Sequence, residues 1–387
     1  MTLIIGVVGP FGSGCTYVAE ILKNTYSYEY LSLSDILRDY AEKENQKIDF
    51  SRRENLQNYG NSIREKHGGG ILAEWAIGKI RSEPGKNFVV DSIRNPAEVD
   101  CFRNSFPDFF LFGIFAEQDI RYARIKDKYS EDRREFEKDD KRDSGESNSF
   151  GQQVTRCFRS ADIIILNNDE IRKGNDNERN FATKIKDKMD VLKKEIPFRP
   201  SPMETYMAMA YAVSMRSSCL KRKVGAVIVD GDGTLISSGY NEVPITQKPC
   251  LSEYGNCYRD TLKSDYKHGL KSVIHDEVDR EKAYSEFKKQ FKILDYCRAL
   301  HAEENAIIGV SKTGSSGLLA KARLFTSTYP CNLCANKIVQ VGIKNVVYFE
   351  PYPMKEAKNI LASGHVNQIP FEGVTYNGYF KLMEVVE

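Results

Sequence analysis

The sequence predicts two α/β domains joined by a short linker, and three observations support this prediction. The chain has 387 residues, more than one compact domain usually holds. Apolar strand patterns alternate with helical patterns along its first half, which is typical of a parallel sheet. Three prolines between Glu195 and Pro202 interrupt the pattern and predict a linker. We therefore predict a first domain over residues 1–194, a linker over 195–201 and a second domain over 202–387.

The composition favours a globular protein that binds small molecules. Hydrophobic residues make up 41% of the chain and charged residues 28%. The net charge of +2 gives no argument for a nucleic-acid partner. No apolar run approaches the roughly 20 residues that span a bilayer, and the first residues lack the basic segment of a signal peptide. We therefore expect a cytoplasmic protein without membrane contact, whose nine cysteines are thiols and metal ligands rather than disulfides.

The first domain is predicted to begin with a buried strand, Leu3–Val8, which runs into a glycine-rich turn and a helix. Further strands are predicted at Phe88–Asp91, Phe109–Phe115 and Asp162–Leu166. Helices are predicted at Ser34–Glu44, Arg52–Lys66, Ile71–Arg81 and Lys184–Lys194. This alternation predicts a parallel sheet built from βαβ units.

The turn after the first strand carries a phosphate-binding pattern, Gly-Pro-Phe-Gly-Ser-Gly-Cys-Thr. A glycine-rich turn between a strand and a helix is the setting of a P-loop, whose backbone N–H groups bind phosphate. Cys15 replaces the lysine expected before the threonine, which disfavours phosphoryl transfer. The alternative is a tight turn that binds nothing. The candidate nucleotide-binding residues of this turn are Gly9, Gly12, Ser13, Gly14, Cys15 and Thr16.

The second domain is predicted to begin with a helix, Met203–Met215, and a hairpin around an Asp-Gly-Asp-Gly turn. The two hairpin strands are Val224–Val229 and Thr234–Ser238. A polar insertion follows from Glu242 to about Leu294. Later helices are predicted at His301–Val310, Cys331–Val341 and Lys355–Leu361, and later strands at Arg323–Ser327 and Asn345–Phe349.

The pattern His301-Ala-Glu303, followed by Pro-Cys331-Asn-Leu-Cys334, predicts a catalytic zinc site. One nitrogen and two sulfur ligands leave the fourth tetrahedral position open for water. Cysteines three residues apart at a helix start lie on one face, where the helix dipole favours thiolates. Zinc lowers the pKa of its water to about 7, and Glu303 would move the proton to N3 of a cytosine ring. The alternative, a closed structural zinc site, needs a fourth His or Cys and has no use for Glu303.

Four segments in this order resemble the deoxycytidylate deaminase family: Ser217–Val229, Gly239–Asn241, His301–Ala306 and Tyr329–Cys334. The resemblance implies a cytidine-deaminase-like α/β/α fold around a mixed five-stranded sheet. It implies a free deoxycytidine nucleotide, dCMP or dCTP, as the substrate, and a homo-oligomer as the assembly. By the same resemblance, one or more residues of the basic cluster 221–223 would meet the phosphate, whereas the residues alone favour a solvated basic turn. The substrate-binding residues implied in this way are Lys221, Arg222, Lys223, Asn241, Ala302 and Tyr329.

The resemblance also marks Cys219 and Cys250 as candidate ligands of a second, structural zinc ion. The residues that would complete this site lie in or next to the insertion: Cys257, His268, His275 and Cys297. Their irregular spacing leaves open the alternative that they are scattered. One departure is Glu242, which stands where family members often have glycine and argues against allosteric control by dCTP.

The first domain resembles deoxynucleoside monophosphate kinases in its segment Phe88-Val-Val-Asp91, which implies that Asp91 lies near a metal or substrate. The charged stretch Arg121–Asp143 is placed like their lid. A P-loop kinase-like domain joined to a deaminase domain is similar to anti-phage deoxycytidine nucleotide deaminases. This implies nucleotide depletion during infection, with the first domain as a regulator and a purine nucleotide as its ligand. Two alternatives are a polynucleotide (RNA or single-stranded DNA) cytosine-editing deaminase and a nucleotide-sensing switch with a normally silent deaminase.

Overall fold

The chain folds into two compact units, in agreement with the predicted two α/β domains. This computed structural model describes residues 2–50, 52–145, 150–172, 174–291, 294–350 and 355–383, so residues 292 and 293 of the predicted insertion lie outside it. The first unit comprises Met1–Glu204 and Glu372–Glu387, and the second comprises Thr205–Phe371. No helix among the described residues is long and apolar enough to cross a membrane.

The first unit is built on a six-stranded sheet. Its strands are β1 (Ile4–Val8), β2 (Glu29–Ser32), β3 (Phe88–Asp91), β4 (Phe109–Phe115), β5 (Ile163–Leu166) and β11 (Gly373–Val374). Their order is β11-β5-β4-β1-β3-β2, and all neighbours are parallel except β11 and β5. The strands β1 and β4 are buried over their whole length, as expected for parallel strands covered on both faces. The predicted parallel sheet is therefore confirmed, with one antiparallel strand added at its edge.

Helices cover this sheet. The capping of the fifth helix follows from its sequence, since Asn95 accepts a hydrogen bond from the N–H of Ala97 and Pro96 occupies the first helical position. The apolar face of the ninth helix, which includes Phe181 and Ile185, packs into the same core as Phe112 of β4. The helices of the first unit are α1 (Cys15–Tyr26), α2 (Leu33–Lys43), α3 (Arg53–His67), α4 (Ile71–Arg81), α5 (Pro96–Ser105), α6 (Gln118–Ile125), α7 (Arg133–Ser144), α8 (Val154–Arg159), α9 (Asp176–Leu192) and α17 (Tyr376–Met383).

The residues after Phe371 return to the first unit, whereas the sequence-based division placed them in the second domain. Gly373 and Val374 pair with β5, and the Glu372 carboxylate accepts a hydrogen bond from the N–H of Leu166 at 3.0 Å. Further along, the Lys381 ammonium lies 2.9 Å from the buried Asp162 carboxylate. This short segment covers an edge of the sheet that would otherwise expose unpaired backbone groups.

The second unit contains the predicted mixed five-stranded sheet. Its strands are β6 (Gly225–Val229), β7 (Leu235–Tyr240), β8 (Arg323–Thr326), β9 (Asn345–Tyr348) and β10 (Asn367–Pro370). Their order is β10-β9-β8-β6-β7, with β6 antiparallel to both of its neighbours and the other pairs parallel. The helices are α10 (Pro202–Ser214), α11 (Cys250–Tyr254), α12 (Tyr258–Val273), α13 (Glu277–Gln290), α14 (Ala302–Lys312), α15 (Asn332–Gln340) and α16 (Lys355–Ser363).

Both faces of this sheet are covered by helices. On one face, α14, α15 and α16 bury Ala306, Ile338 and Leu361 in a common cluster with β6 and β8. On the other face, α10 packs through Tyr206, whose ring centroid lies 5.1 Å from that of Phe325. The helices α11 to α13 form the predicted insertion. The α/β/α arrangement implied by the sequence is thus present.

Candidate active site

Three candidate zinc ligands meet where two helices begin. His301 immediately precedes α14, and Cys331 immediately precedes α15. The His301 Nδ1 atom lies 3.2 Å from the Cys331 sulfur and 3.4 Å from the Cys334 sulfur. Within the described part of the chain, this is the one group of three His, Cys, Asp or Glu side chains whose ligand atoms all lie within 4.8 Å of one another. One imidazole nitrogen and two sulfurs are a donor set that fits zinc.

A close approach of β7 to α14 sets the position of His301. A Cβ atom at Gly239 would lie 2.3 Å from the Ala302 carbonyl oxygen, so the helix packs this tightly only against a glycine. The Glu304 carboxylate accepts a hydrogen bond from the N–H of His301 at 3.4 Å and forms an ion pair with Lys337 of α15 at 2.5 Å. Glu304 therefore ties the starts of the two helices together. The sequence offered a signal for this contact, since an acidic residue three positions after a helix cap is typical of a capping box.

Glu303 lies beside the three ligands in the interior of the unit. Its side chain is buried, with 3% of the residue surface exposed. One carboxylate oxygen accepts a hydrogen bond from the Thr326 hydroxyl at 3.3 Å, and the other lies 3.6 Å from the Cys334 sulfur. Burial raises the pKa of this carboxyl above its usual value. A carboxyl with a raised pKa is suited to accept and return protons near neutral pH.

The two cysteines differ in their proton affinity. A hydrogen bond with Cys334, followed by one with His301, lowers the pKa of the Cys331 thiol to about 4. The hydrogen bond with Cys331, together with burial, raises the pKa of the Cys334 thiol. The lowered pKa of Cys331 favours its thiolate, the protonation state that zinc requires of its cysteine ligands.

A cavity of about 310 Å³ opens onto His301, Glu303 and Cys331. Five of the six predicted substrate-binding residues line it: Lys221, Arg222, Asn241, Ala302 and Tyr329. The sixth, Lys223, is not among the lining residues, and its ammonium donates a hydrogen bond to the Met215 carbonyl at 3.2 Å. The structure thus brings two of the three candidate metal ligands, Glu303 and most of the predicted substrate residues to one cavity.

Asn241 and Tyr329 are both held by hydrogen bonds within the protein. The Asn241 amide oxygen accepts from the N–H of Val224 at 2.7 Å, and its nitrogen donates to the Arg222 carbonyl at 2.8 Å. An amide nitrogen carries two hydrogens, so within the described part of the chain one donor remains for a ligand. The Tyr329 hydroxyl donates to Gln368, and its ring packs edge-to-face on Tyr348 with centroids 4.7 Å apart.

A separate cavity of about 470 Å³ surrounds the glycine-rich turn of the first unit. Gly14 adopts a φ of +99°, a conformation that favours glycine, and the Thr16 hydroxyl donates to the Asp91 carboxylate at 2.9 Å. All seven predicted P-loop site residues line this cavity: Gly9, Gly12, Ser13, Gly14, Cys15, Thr16 and Asp91. Four cationic side chains also line it, and the sequence reasoning missed them: Arg38, Arg53, Arg94 and Lys128.

The charges around this turn differ from those of a kinase P-loop. Burial, and to a lesser extent the nearby Asp91 carboxylate, raises the pKa of the Cys15 thiol to about 12, so the position of the usual lysine is neutral. Positive charge comes instead from Arg53 and Arg94, which lie 2.8 Å and 2.5 Å from the Asp143 carboxylate. Asp143 itself is buried, with 1% of its side chain exposed. The predicted lid segment therefore places a carboxylate against the two arginines.

The comparisons with known proteins agree with this geometry. The family model described as the cytidine and deoxycytidylate deaminase zinc-binding region matches residues 200–350. A deoxycytidylate deaminase of Schizosaccharomyces pombe is 30% identical over 271 residues, which are 70% of this chain and 71% of that protein. The chain belongs to the deoxycytidylate deaminase family. Neither compact unit alone holds 271 residues, so the likeness to this family member includes residues of both units.

Other matches extend the comparison to each half of the chain. The deoxycytidylate deaminase of Enterobacteria phage T4 is 33% identical over 154 residues, 38% of this chain and 77% of that family member. A family model described as an AAA domain matches residues 8–142. A UPF0200 protein of Methanothermobacter thermautotrophicus is 27% identical over 190 residues, 48% of this chain and 92% of that protein. The predicted P-loop kinase-like fold of the first unit is confirmed by these matches.

The sequence did not predict two features of the second unit, the contacts of Glu242 and the position of Arg259. Glu242 anchors the segment before the basic cluster, because its carboxylate accepts hydrogen bonds from the Ser218 hydroxyl at 2.5 Å and the Ser218 N–H at 2.8 Å. Arg259 of α12 lines the deaminase cavity beside the candidate substrate residues. No motif marks Arg259, because it lies in an insertion without a recognisable pattern.

The six candidate ligands of a second zinc divide into two groups. Four cysteines line one small cavity of about 30 Å³: Cys219, Cys250, Cys257 and Cys297. The two histidines do not line it: His268 contacts Ser264 at 3.3 Å, and His275 is exposed between α12 and α13. Among the described residues, no three of these six bring their ligand atoms within 4.8 Å of one another.

Proposed function

We propose that this protein catalyses the zinc-dependent hydrolytic deamination of dCMP to dUMP, with release of ammonia. The observation that carries this proposal is the meeting of His301, Cys331 and Cys334 beside the buried Glu303 at a cavity of about 310 Å³. Membership of the deoxycytidylate deaminase family supports the choice of substrate. The cavity has the volume of a small-molecule site rather than of a nucleic-acid channel.

The side chains of the cavity have different roles in this reaction. A bound zinc ion would be held by His301, Cys331 and Cys334 and would lower the pKa of a water molecule. Glu303 would take a proton from this water as the water oxygen bonds to C4 of the cytosine ring, and would pass that proton to N3. It would then move the second proton of the same oxygen to the amine, so that the C4–N bond breaks and ammonia leaves. Its raised pKa keeps both steps accessible near neutral pH. Asn241 offers its remaining amide hydrogen to the sugar, and Tyr329 packs against the pyrimidine or the sugar.

A substrate panel tests this proposal. The purified, zinc-loaded protein is incubated separately with dCMP, dCTP, CMP, cytidine and a cytosine-bearing oligonucleotide, and uracil formation is followed by chromatography. We expect turnover of dCMP. We also expect turnover of dCTP, because it is a deoxycytidine nucleotide as well. Conversion of the oligonucleotide without conversion of any mononucleotide would overturn the proposal and favour the editing alternative.

We also propose that the P-loop cavity binds a purine nucleoside triphosphate that regulates the deaminase without phosphoryl transfer. Arg53 and Arg94 share the single carboxylate of Asp143, so the cations around the glycine-rich turn keep an excess of positive charge that supports binding of a polyphosphate. The neutral Cys15 removes the charge that stabilises a transferred phosphoryl group. Repeating the dCMP assay with ATP or GTP tests regulation, and release of phosphate or ADP tests catalysis. Unchanged deaminase rates together with nucleotide hydrolysis would contradict this assignment.

For the second metal site, the gathering of Cys219, Cys250, Cys257 and Cys297 favours a four-cysteine shell over one with histidine. Four cysteines are a common structural zinc set. Metal analysis should then give two zinc ions per chain, and one in a variant carrying Cys250→Ser and Cys297→Ser. A count of one in both proteins would argue against this site.

The biological role that fits these activities is depletion of deoxycytidine nucleotides during phage infection. A P-loop unit in the same chain as a deaminase unit would allow activity to be held back until a nucleotide signal arrives. In cells challenged with a DNA phage, expression of the protein should lower plaque numbers and dCMP and dCTP pools, whereas a Glu303→Gln variant should do neither. Equal plaque numbers with both proteins would contradict this role.

A further inference from the structure

Among the described residues, three Lys or Arg side chains line the deaminase cavity, and two of them are already engaged in ion pairs. The Lys221 ammonium forms an ion pair with Asp260, and the Arg222 guanidinium forms one with Glu350. A phosphate that used either side chain would first have to compete with a carboxylate. The third cation of the cavity is Arg259.

Arg259 is the second residue of α12, and its backbone position is fixed by that helix. Within the described residues, its guanidinium has no ion-pair partner and no hydrogen bond. The residue is partly buried, and it lines the same cavity as His301, Glu303 and Tyr329. A partly desolvated, unengaged guanidinium interacts strongly with an anion that enters its cavity.

We propose that Arg259 binds the 5′-phosphate of the deoxycytidine nucleotide, so that the insertion supplies the phosphate specificity of the deaminase. This inference rests on the proposed function of the same cavity. The five N–H donors of arginine match two phosphate oxygens at once, and no existing ion pair has to be broken. Arg222 and Lys221 then contribute mainly by holding the cavity wall through Glu350 and Asp260.

The test compares two substrates that differ only in the phosphate, dCMP and deoxycytidine. For an Arg259→Gln variant we expect kcat/KM for dCMP to fall about 10- to 100-fold, largely through KM, because a charge-assisted hydrogen-bonded pair is lost. Activity on deoxycytidine, which has no phosphate, should stay within about twofold of the unmodified protein. An Arg259→Lys variant should recover part of the loss on dCMP, since a lysine keeps the charge but not the bidentate geometry.

The matched control is Lys271→Gln, which removes one positive charge from the exposed last turn of the same helix. It should leave both substrates unaffected. Equal kcat/KM for dCMP in Arg259→Gln and the unmodified protein would overturn the inference, as would an equal loss on dCMP and deoxycytidine. Failure of the unmodified protein to convert either substrate would instead refute the proposed function itself, so the two failures are distinguishable.

Discussion

The two cavities of this molecule differ in whether they contain the side chains that their type of reaction needs. The deaminase cavity brings together three metal-ligand side chains and a buried carboxyl with a raised pKa. The P-loop cavity keeps the glycine-rich turn and Asp91 but carries a neutral thiol at the position of the usual lysine. Its nearby arginines Arg53 and Arg94 face Asp143. The difference supports the proposal that the second unit is catalytic and that the first binds a nucleotide without transferring a phosphoryl group.

The largest effect is expected for a substitution of Glu303. If this substitution left the reaction rate unchanged, the proposed catalytic role of the deaminase cavity would be wrong. Glu303→Gln keeps the shape of the side chain but removes proton transfer, which contributes about 10²- to 10⁴-fold to such reactions. We expect kcat for dCMP to fall in that range while zinc content, measured by metal analysis, stays unchanged. The control is Glu356→Gln on the exposed surface of α16. A Glu303→Gln variant with full turnover would contradict the proton-transfer role.

The next effect concerns the neutral thiol of the P-loop cavity. With a pKa of about 12 in place of 9, Cys15 is protonated below about pH 11, and its thiolate fraction at pH 8 is about 1000-fold lower than that of a free thiol. A more basic thiolate is also more nucleophilic, which offsets part of this difference. Alkylation of Cys15 should therefore be about 40-fold slower than alkylation of a free thiol. Peptide mass spectrometry after iodoacetamide treatment measures this rate. The rate should rise about tenfold for each pH unit between pH 8 and pH 11. A rate that levels off above about pH 10 would show an ordinary thiol.

A smaller effect is expected for a substitution of Arg94. This substitution tests whether an arginine supplies the positive charge that a lysine provides in a kinase P-loop. Arg94→Gln should weaken binding of ATP about tenfold, because one charge-assisted contact to phosphate is lost. Isothermal titration calorimetry measures this change. Arg172→Gln is the matched control, since Arg172 pairs with Glu170 on the exposed surface. Identical ATP affinity in both variants would mean that Arg94 does not serve the P-loop cavity.

The smallest effect is expected at Lys223, which the sequence placed with the phosphate-binding residues. Because its ammonium contacts the Met215 carbonyl and it does not line the cavity, Lys223→Gln should change kcat/KM for dCMP less than about twofold. Steady-state kinetics on dCMP measure this. A tenfold loss of kcat/KM for dCMP, without a loss for deoxycytidine, would instead show that Lys223 contacts the phosphate.

The parts of the fold that the sequence predicts well are those with strong local signals. The run Phe109–Phe115 is apolar throughout and forms a buried strand, and the spacing of Cys331 and Cys334 places both at the start of one helix. The strands Glu29–Ser32 and Asn367–Pro370 were missed because both are short edge strands with polar residues, which carry little pattern.

The candidate site was predictable only where chemistry dictates residue type. His301, Glu303 and the two cysteines have roles that few other side chains can fill, so their spacing is informative. The sequence left open which of Lys221, Arg222 and Lys223 would meet the phosphate, because three consecutive basic residues do not reveal which of them faces inward. Arg259 was missed because it reaches the cavity from the start of α12, a contact set by tertiary structure alone.

The return of residues 372–383 to the first unit has a consequence for biosynthesis. The ribosome completes the entire second unit before it makes Gly373 and Val374, so the β5 edge of the first sheet stays uncovered until then. A nascent chain with such an exposed edge is prone to pair with other chains. Protein shortened at residue 371 should therefore keep its deaminase cavity but aggregate through the first unit.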